Sequence, residues 1–455
     1  VLGRYGIETL LVERRHRPSE LPRATAISTR SMELLRSLGL EHEVRAGGVD
    51  VEWLGWSCET LADVEAGAPM PLGLPTREQA ALISPTGPAC VPQDHLEPVL
   101  LRHLRSSATV RVLTGAEAVL ASNGPDGVVA ELRDAAGGDS RIVEARYLVA
   151  ADGVRSAIRA ALEIPMRGPA HLATAVSALF HAPLWRLAGR HRYGLYDINR
   201  AGAEGVLLPA GPGDRWLYGA VGGPELEGLA GGGAETMARR VGQAIGAAGP
   251  EPRIERLGAF SFGAQVAERF REGSAFLVGD AAHRVTPRGG TGMNTAIHDG
   301  WDLGWRLAWV LQGWAGPALL DSYETERRPV AEHNTERSAD SAAAAEGVEA
   351  ALSADLGGRI RHLWLPTAAG RVSTLDLIGP GLTLLTGPDR GGWEAVAHAL
   401  ACPAPVAVRS MDPISARALG IDGSGALMAR PDGVPVALWP SPDRAPADAP
   451  VAAVA

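Results

Sequence analysis

Three short stretches combine residue types in a pattern that suits the handling of a nucleotide. Glu8 to Glu13 (ETLLVE) reads as a short buried strand ending in an acid, with Arg14 directly after it. Leu148-Val149-Ala150 is a second buried strand, and it runs through Ala151 into Asp152-Gly153, with Arg155 close behind. Ser274 to Val278 is a third, followed by Gly279-Asp280-Ala281-Ala282-His283 and then by Pro287-Arg288-Gly289-Gly290-Thr291-Gly292-Met293-Asn294. A carboxylate at a strand end can accept from two vicinal hydroxyls, and glycine lets a backbone approach a ligand closely. In a βαβ dinucleotide unit the acid follows a glycine-rich turn by about 20 residues. Counting back from Glu13 places that turn before residue 1, and GxGxxG occurs nowhere in the chain.

Other chemistries are excluded by what the chain lacks. All 43 cationic residues are arginine, which removes lysine Schiff bases and the P-loop lysine. Neither HExxH nor GxSxG occurs, and Cys58, Cys90 and Cys402 are too dispersed for a zinc ribbon or a disulfide framework. No metal site is expected, and no side chain stands out as a catalytic nucleophile. A formal charge of −9 argues against nucleic-acid binding. No apolar run reaches the ~18–20 residues that cross a bilayer. Val1 to Glu8 do not form a signal peptide, so a cytoplasmic protein is expected.

The elements that must position these residues follow from pattern. With 455 residues, 46% apolar and 21% charged, the chain should form a soluble globular protein of about three domains. Gly3 to Ile7 read as the last turn of a helix. An arginine-rich loop spans Arg14 to Arg23, and an amphipathic helix runs from Ser28 to Leu38 and stops at Gly39. Pro92 to Arg105 is helical, 110–150 is a β-meander, and 165–265 is strand-rich with a helix near Ala234–Ala247. Long helices follow at Met293–Leu311 and around Pro317–Ala339. Beyond Pro366 a small α/β module is expected, closing on a Pro/Ala-rich tail from Pro440 that should fray.

The GDAAH…PxGGxGxN stretch, with ELPRATAISTRSMELL and VPQDHLEPVLL, resembles the group A FAD-dependent aromatic hydroxylases, of which p-hydroxybenzoate hydroxylase is the best-known member. Within them it is similar to the branch of phenol hydroxylases and actinomycete polyketide hydroxylases. The resemblance covers nearly the whole chain apart from the N-terminal phosphate loop, so the chain reads as N-terminally truncated. It implies an α/β fold: a Rossmann-like FAD-binding domain, a β-sheet substrate domain and a thioredoxin-like C-terminal domain. The boundaries would be 1–165 for the first part of the FAD-binding domain, with 50–90 partly in the substrate domain, then 166–265 for the substrate domain. The second FAD-binding part would be 266–365, and the thioredoxin-like domain 366–455.

The resemblance also assigns cofactor contacts. Glu13 would hold the adenosine ribose, with Arg14 beside it, Arg23 the pyrophosphate, and Gln93 the flavin. Asp152 and Gly153 form the second dinucleotide motif. Gly279 and Asp280 would take the ribityl chain, while Pro287, Gly290, Gly292, Met293 and Asn294 carry the backbone along the isoalloxazine. His283 reads as structural. The implied reaction is hydroxylation of a phenolic or polyketide ring by FAD, NAD(P)H and O2 through a C4a-hydroperoxyflavin. A Baeyer–Villiger insertion and a non-catalytic homologue are the alternatives. The chain would act as a monomer or homodimer. Phe180, Trp185, Tyr193, Tyr196, Trp216 and Tyr218 are candidates to line an apolar substrate pocket, and Trp216 and Tyr218 share one face of a strand.

Overall fold

The computed structural model describes all residues except 71, 139, 223–232, 341–347, 369, 389–391, 401 and 443–455; most of the Pro/Ala-rich tail therefore lies outside the described residues. Two pairs of parallel strands carry the strand-end motifs. Thr9–Glu13 pairs in parallel with Val110–Thr114, Thr9 opposite Val110 and Glu13 opposite Thr114. Leu148–Ala150 pairs in parallel with Ala275–Leu277, and Arg271–Glu272 adds an antiparallel strand on the far side. Among the described residues no strand pairing joins the two sets, and Thr9–Glu13 and Leu148–Ala150 each pair on one edge only. Val149 is accordingly 40% exposed, unusual for an apolar residue in a parallel strand.

Against these strands lie two long helices, Thr291–Leu311 and Asp321–Ala339. The first buries Trp305 and Trp309 completely, in one core with Phe270, Phe276, Leu277 and Tyr323. The expected meander forms from Ala116–Gly124, Gly127–Asp134 and Ser140–Ala145, whereas Val110–Thr114 joins the parallel pair instead.

The strand-rich middle builds a seven-stranded sheet in the order Arg253–Phe262, Ala173–His181, Arg215–Gly222, Gly205–Pro209, Tyr193–Ile198, Glu52–Cys58, Ala68–Met70. Only Tyr193–Ile198 and Glu52–Cys58 run parallel within it. One face packs on the helix Gly233–Ile245 through Met237, Val241, Ala244 and Ile245. That face holds Phe180, Tyr196, Trp216 and Tyr218, all 0% exposed. These aromatics therefore make core, not a pocket wall. Period-two alternation correctly groups Trp216 with Tyr218, but it does not say which face of a sheet is covered.

At the C-terminal end a four-stranded sheet runs Val406–Ser410, Leu382–Thr386, Ala426–Ala429, Pro435–Trp439, with the first pair parallel and the others antiparallel. It docks on the rest through polar as well as apolar contacts. Tyr5 Oη and Trp309 Nε1 both donate to the Pro380 carbonyl, at 2.9 and 3.0 Å. Arg430 donates to both carboxylate oxygens of Glu326 at 2.7 Å. No helix among the described residues is long and apolar enough to cross a membrane.

Candidate active site

A cleft of about 2790 Å³ runs between the two parallel strand pairs and the seven-stranded sheet. Glu13, Arg14, Arg23, Asp152, Gly153, Asp280 and Pro287 all line it, as does Arg155. The remaining sequence-derived residues are placed behind the wall. Gln93 opens the helix Gln93–Arg105, but its side-chain amide donates to Glu97 at 2.5 Å, and Glu97 is the residue on the cleft. Met293 packs beside the core around Ile27, Met32 and Leu35. Asn294 is buried, and its side chain is fully engaged: it accepts from Ser28 N–H at 2.8 Å and donates to the Ala26 and Gly290 carbonyls. It clamps the Ala26–Ser28 segment to the start of the long helix. Gly279, Gly290 and Gly292 also stand off the wall: Gly279 and Gly290 have φ of +57° and +62°, and a Cβ on Gly292 would come within 2.9 Å of the Val285 side chain.

The residues facing the cleft form a set that suits a dinucleotide. Among the described residues neither the Asp280 carboxylate nor the Arg23 guanidinium has a hydrogen-bond or ion-pair partner, although Arg23 lies near enough to act on Asp280 electrostatically. Desolvation lifts the Asp280 carboxyl above the ordinary Asp range, against the pull of His283, Arg284 and Arg23. A free acceptor and a free fork of donors in one recess match a ribityl hydroxyl and a pyrophosphate. Gly153 has φ of +82° with open space where a Cβ would sit. Asp152 accepts from Ile158 N–H at 3.1 Å, and Glu13 from Arg15 N–H at 2.8 Å, each leaving acceptor capacity for a ligand. Thr291, at the start of the long helix, has a buried hydroxyl with no partner. The residues present fit FAD.

Three residues not singled out from sequence hold this wall in place. Asp299, wholly buried, accepts from Gly279 N–H at 3.1 Å, His283 Nε2 at 2.6 Å and Arg327 Nε at 2.9 Å. Burial alone would raise its carboxyl, but His283 and Arg327 outweigh that and hold it far below the ordinary Asp range. Arg159 donates to the Ala281 carbonyl at 2.9 Å and to the Val154 carbonyl at 3.1 Å, tying the two strand-end turns together.

A second buried set lies behind the Ala26–Ser28 segment. His298 Nε2 sits 3.1 Å from Ser31 Oγ and 3.8 Å from Asp355 Oδ1, and burial holds the imidazole neutral, well below its usual range. Asp355 accepts from Arg30 N–H at 3.1 Å. Desolvation pushes its carboxyl up to about 6, with Glu33 adding to the shift and Ser28 and Arg30 opposing it. Between the ordinary Asp value and 6 the folded chain keeps a proton that the unfolded chain has released, so stability falls as pH rises through that window. Above pH 6 the whole penalty of about 3 kcal/mol applies. Asp355→Asn is therefore expected to stabilise the chain by about 1–3 kcal/mol at pH 7.5 and by almost nothing at pH 4. Denaturant titrations at the two pH values check this; an equal effect at both would refute it.

A cleft with a charged, dinucleotide-like wall facing a mostly apolar sheet floor suits a flavin-type oxidoreductase, and comparison with known proteins makes the class specific. Residues 1–338 match the FAD binding domain family and 353–455 the aromatic-ring hydroxylase C-terminal family. The chain belongs to the FAD-dependent aromatic-ring hydroxylases. It is 33% identical to tetracenomycin A2 monooxygenase-dioxygenase of Streptomyces glaucescens, over 95% of this chain and 89% of that protein. Identity is also 33% to 2,4-dichlorophenol 6-monooxygenase of Cupriavidus pinatubonensis, over 73% of this chain and 57% of the relative. The solved ternary complex of aklavinone-11 hydroxylase with FAD and aklavinone superposes with a TM-score of 0.86 at 29% identity, covering 100% of this chain and 95% of that one. This chain is an FAD-dependent monooxygenase acting on an aromatic substrate, and NAD(P)H is the reductant of its family.

Proposed function

We propose that the chain hydroxylates a fused-ring aromatic of the polyketide kind. One observation carries this: a single continuous cleft has Glu13, Arg23, Asp152 and Asp280 on one side and Ala175, Ser177, Leu179, Leu217 and Gly219 on the other. A dinucleotide-type wall and a sheet floor facing each other across one cleft suit a dinucleotide together with a broad, flat substrate. Bound FAD supplies the redox chemistry, passing one atom of O2 to an electron-rich ring carbon with NAD(P)H as reductant.

The protein's own part is binding and orientation. Asp280 takes a ribityl hydroxyl, Glu13 the adenosine ribose, and Arg14, Arg23 and Asp152-Gly153 the pyrophosphate side. The Gly290–Asn294 backbone, at the positive end of the helix Thr291–Leu311, favours negative charge on a neighbouring group. The two parallel strand pairs are halves of one Rossmann-type sheet. The C-terminal module is thioredoxin-like, and with Cys402 as its one cysteine its role is oligomerisation or structural support, not dithiol exchange. The enzyme works in the cytoplasm, as a monomer or homodimer.

The test is to load the purified chain with FAD and follow NAD(P)H oxidation with a polycyclic phenol and with 2,4-dichlorophenol. The expected result is turnover of the polycycle, with a new hydroxyl on a ring carbon. A ring-expanded lactone would point instead to Baeyer–Villiger insertion, turnover of the chlorophenol alone to a single-ring substrate, and failure to oxidise NAD(P)H to a non-catalytic homologue.

A further inference from the structure

We propose that Asp197 is the acceptor for a phenolic hydroxyl of the substrate, standing at the end of a floor shaped for fused rings. The inference rests on the hydroxylase reading above and adds to it a residue and a shape. Along Tyr193–Ile198 the side chains of Tyr196 and Ile198 enter the core, at 0% and 1% exposure, so Asp197 between them faces the other way. It lines the cleft. Among the described strand residues of the sheet that do so, it is the one carboxylate.

Its surroundings leave it short of partners. Ser57 Oγ donates to Asp197 Oδ2 at 3.1 Å, and Asn199 Nδ2 donates to Ser57 Oγ at 2.7 Å. In a chain with 43 arginines, no arginine or histidine among the described residues forms an ion pair with Asp197. A half-buried carboxylate accepting one hydrogen bond keeps most of its acceptor capacity, and a donor arriving in the cleft would satisfy it.

The strand register says what shape that donor has. Gly258, Ser177, Gly219, Val206 and Asp197 are successive cross-strand partners, making one row across five strands. Phe260–Ala175–Val221 borders the row on one side and Leu179–Leu217–Leu208 on the other. Val221 and Phe260 are 57% and 45% exposed, so the floor is apolar up to its rim on that side, while Arg256 stands opposite Leu179 at the rim of the other. A Cβ on Gly258 would come within 3.0 Å of Ser177 Oγ, and one on Gly219 within 3.5 Å of Val206. The row is thus low at Gly258, Ser177 and Gly219, where Phe260, Val221, Leu179 and Leu217 beside it carry larger side chains. From Gly219 to Asp197 is two strand spacings, about 10 Å. A three-ring system lying on the floor with a hydroxyl at its end reaches that far; a single ring does not. A phenol that donates to a carboxylate also gains electron density in its ring, the property that ring hydroxylation needs.

Equilibrium binding to the FAD-loaded chain tests this, read as quenching of flavin fluorescence by 2,6-dihydroxyanthraquinone and by unsubstituted anthraquinone. Asp197→Asn is expected to weaken the dihydroxy ligand about 10- to 100-fold, the range for a lost charge-assisted hydrogen bond, and to leave anthraquinone unchanged. Asp197→Glu should recover part of the loss. Gly219→Val is expected to weaken both quinones, and FAD affinity should stay the same in every variant. Equal binding of the dihydroxy ligand by Asp197→Asn and the parent would overturn the assignment of Asp197 alone. A parent chain that holds FAD but binds neither quinone would overturn the fused-ring reading itself.

Discussion

Asp299→Ala is expected to destabilise the folded chain by about 3–5 kcal/mol and to loosen its hold on FAD in the same step. Asp299 is the shared acceptor for Gly279 N–H, His283 and Arg327, and none of the four groups has ready access to water. Removing the carboxylate leaves the Arg327 guanidinium, 10% exposed, without its counter-charge, and frees the turn that presents Asp280. Asp299→Asn keeps the size and one acceptor but loses the charge, so it should fall between the parent and the alanine variant. Denaturant unfolding and FAD titration of the three proteins would show this; parent-like values in both assays for Asp299→Ala would sink the idea.

The pH dependence separates a charge effect from a packing effect. A carboxyl held below its unfolded value contributes stability that is fully present above the ordinary Asp range and is lost as pH falls below it. The parent therefore sheds this contribution on acidification, whereas Asp299→Asn has no such contribution to lose. The gap between the two should narrow below about pH 4. A gap of constant size down to pH 3 would mean that shape rather than charge is what Asp299 provides.

That Asp299 matters was not legible in the chain, and the reason is physical. Its partners lie 20, 16 and 28 residues away, on a turn and on a second helix, so no local spacing announces them. Arg159, which reaches across 122 positions to Ala281, is hidden in the same way. The strand-end motifs, by contrast, are written in consecutive residues, and Glu13, Asp152 and Asp280 do meet on one cleft. Motif geometry also has limits of its own. Asn294 reads as a ligand residue by position, yet its amide holds the chain together at Ala26, Ser28 and Gly290. On the substrate sheet the conspicuous residues misled: Trp216 and Tyr218 lie under a helix, while the unremarked Leu217 and Gly219 face the cleft. Alternation fixes which side chains travel together; only the tertiary cover decides which set is wet.

The second large effect is expected at the seam between the C-terminal module and the helix Thr29–Ser37. Glu33 on that helix is 5% exposed and accepts from Arg359 Nε at 3.0 Å and from Nη2, from Arg30 Nη1 at 3.0 Å, and from Ser84 Oγ at 2.7 Å. Burial works against the charge, but the two arginines prevail and hold the carboxyl below its ordinary range. The guanidinium of Arg359 also donates to the Ile83 and Ile360 carbonyls, and among the described residues its charge is balanced by Glu33 alone. Glu33→Ala leaves that charge buried and unpaired, which costs about 3–5 kcal/mol. Replacing both partners, as Glu33→Met with Arg359→Met, removes the stranded charge as well and should recover most of the loss. Hydrogen exchange should show where the single change acts: faster at Leu382–Thr386 and Ala426–Ala429 as the module's seam opens, and little altered at Ala275–Leu277. A single variant as stable as the parent, or a double variant no better than the single, would show that the pair is not what fastens the module to the cofactor-binding half.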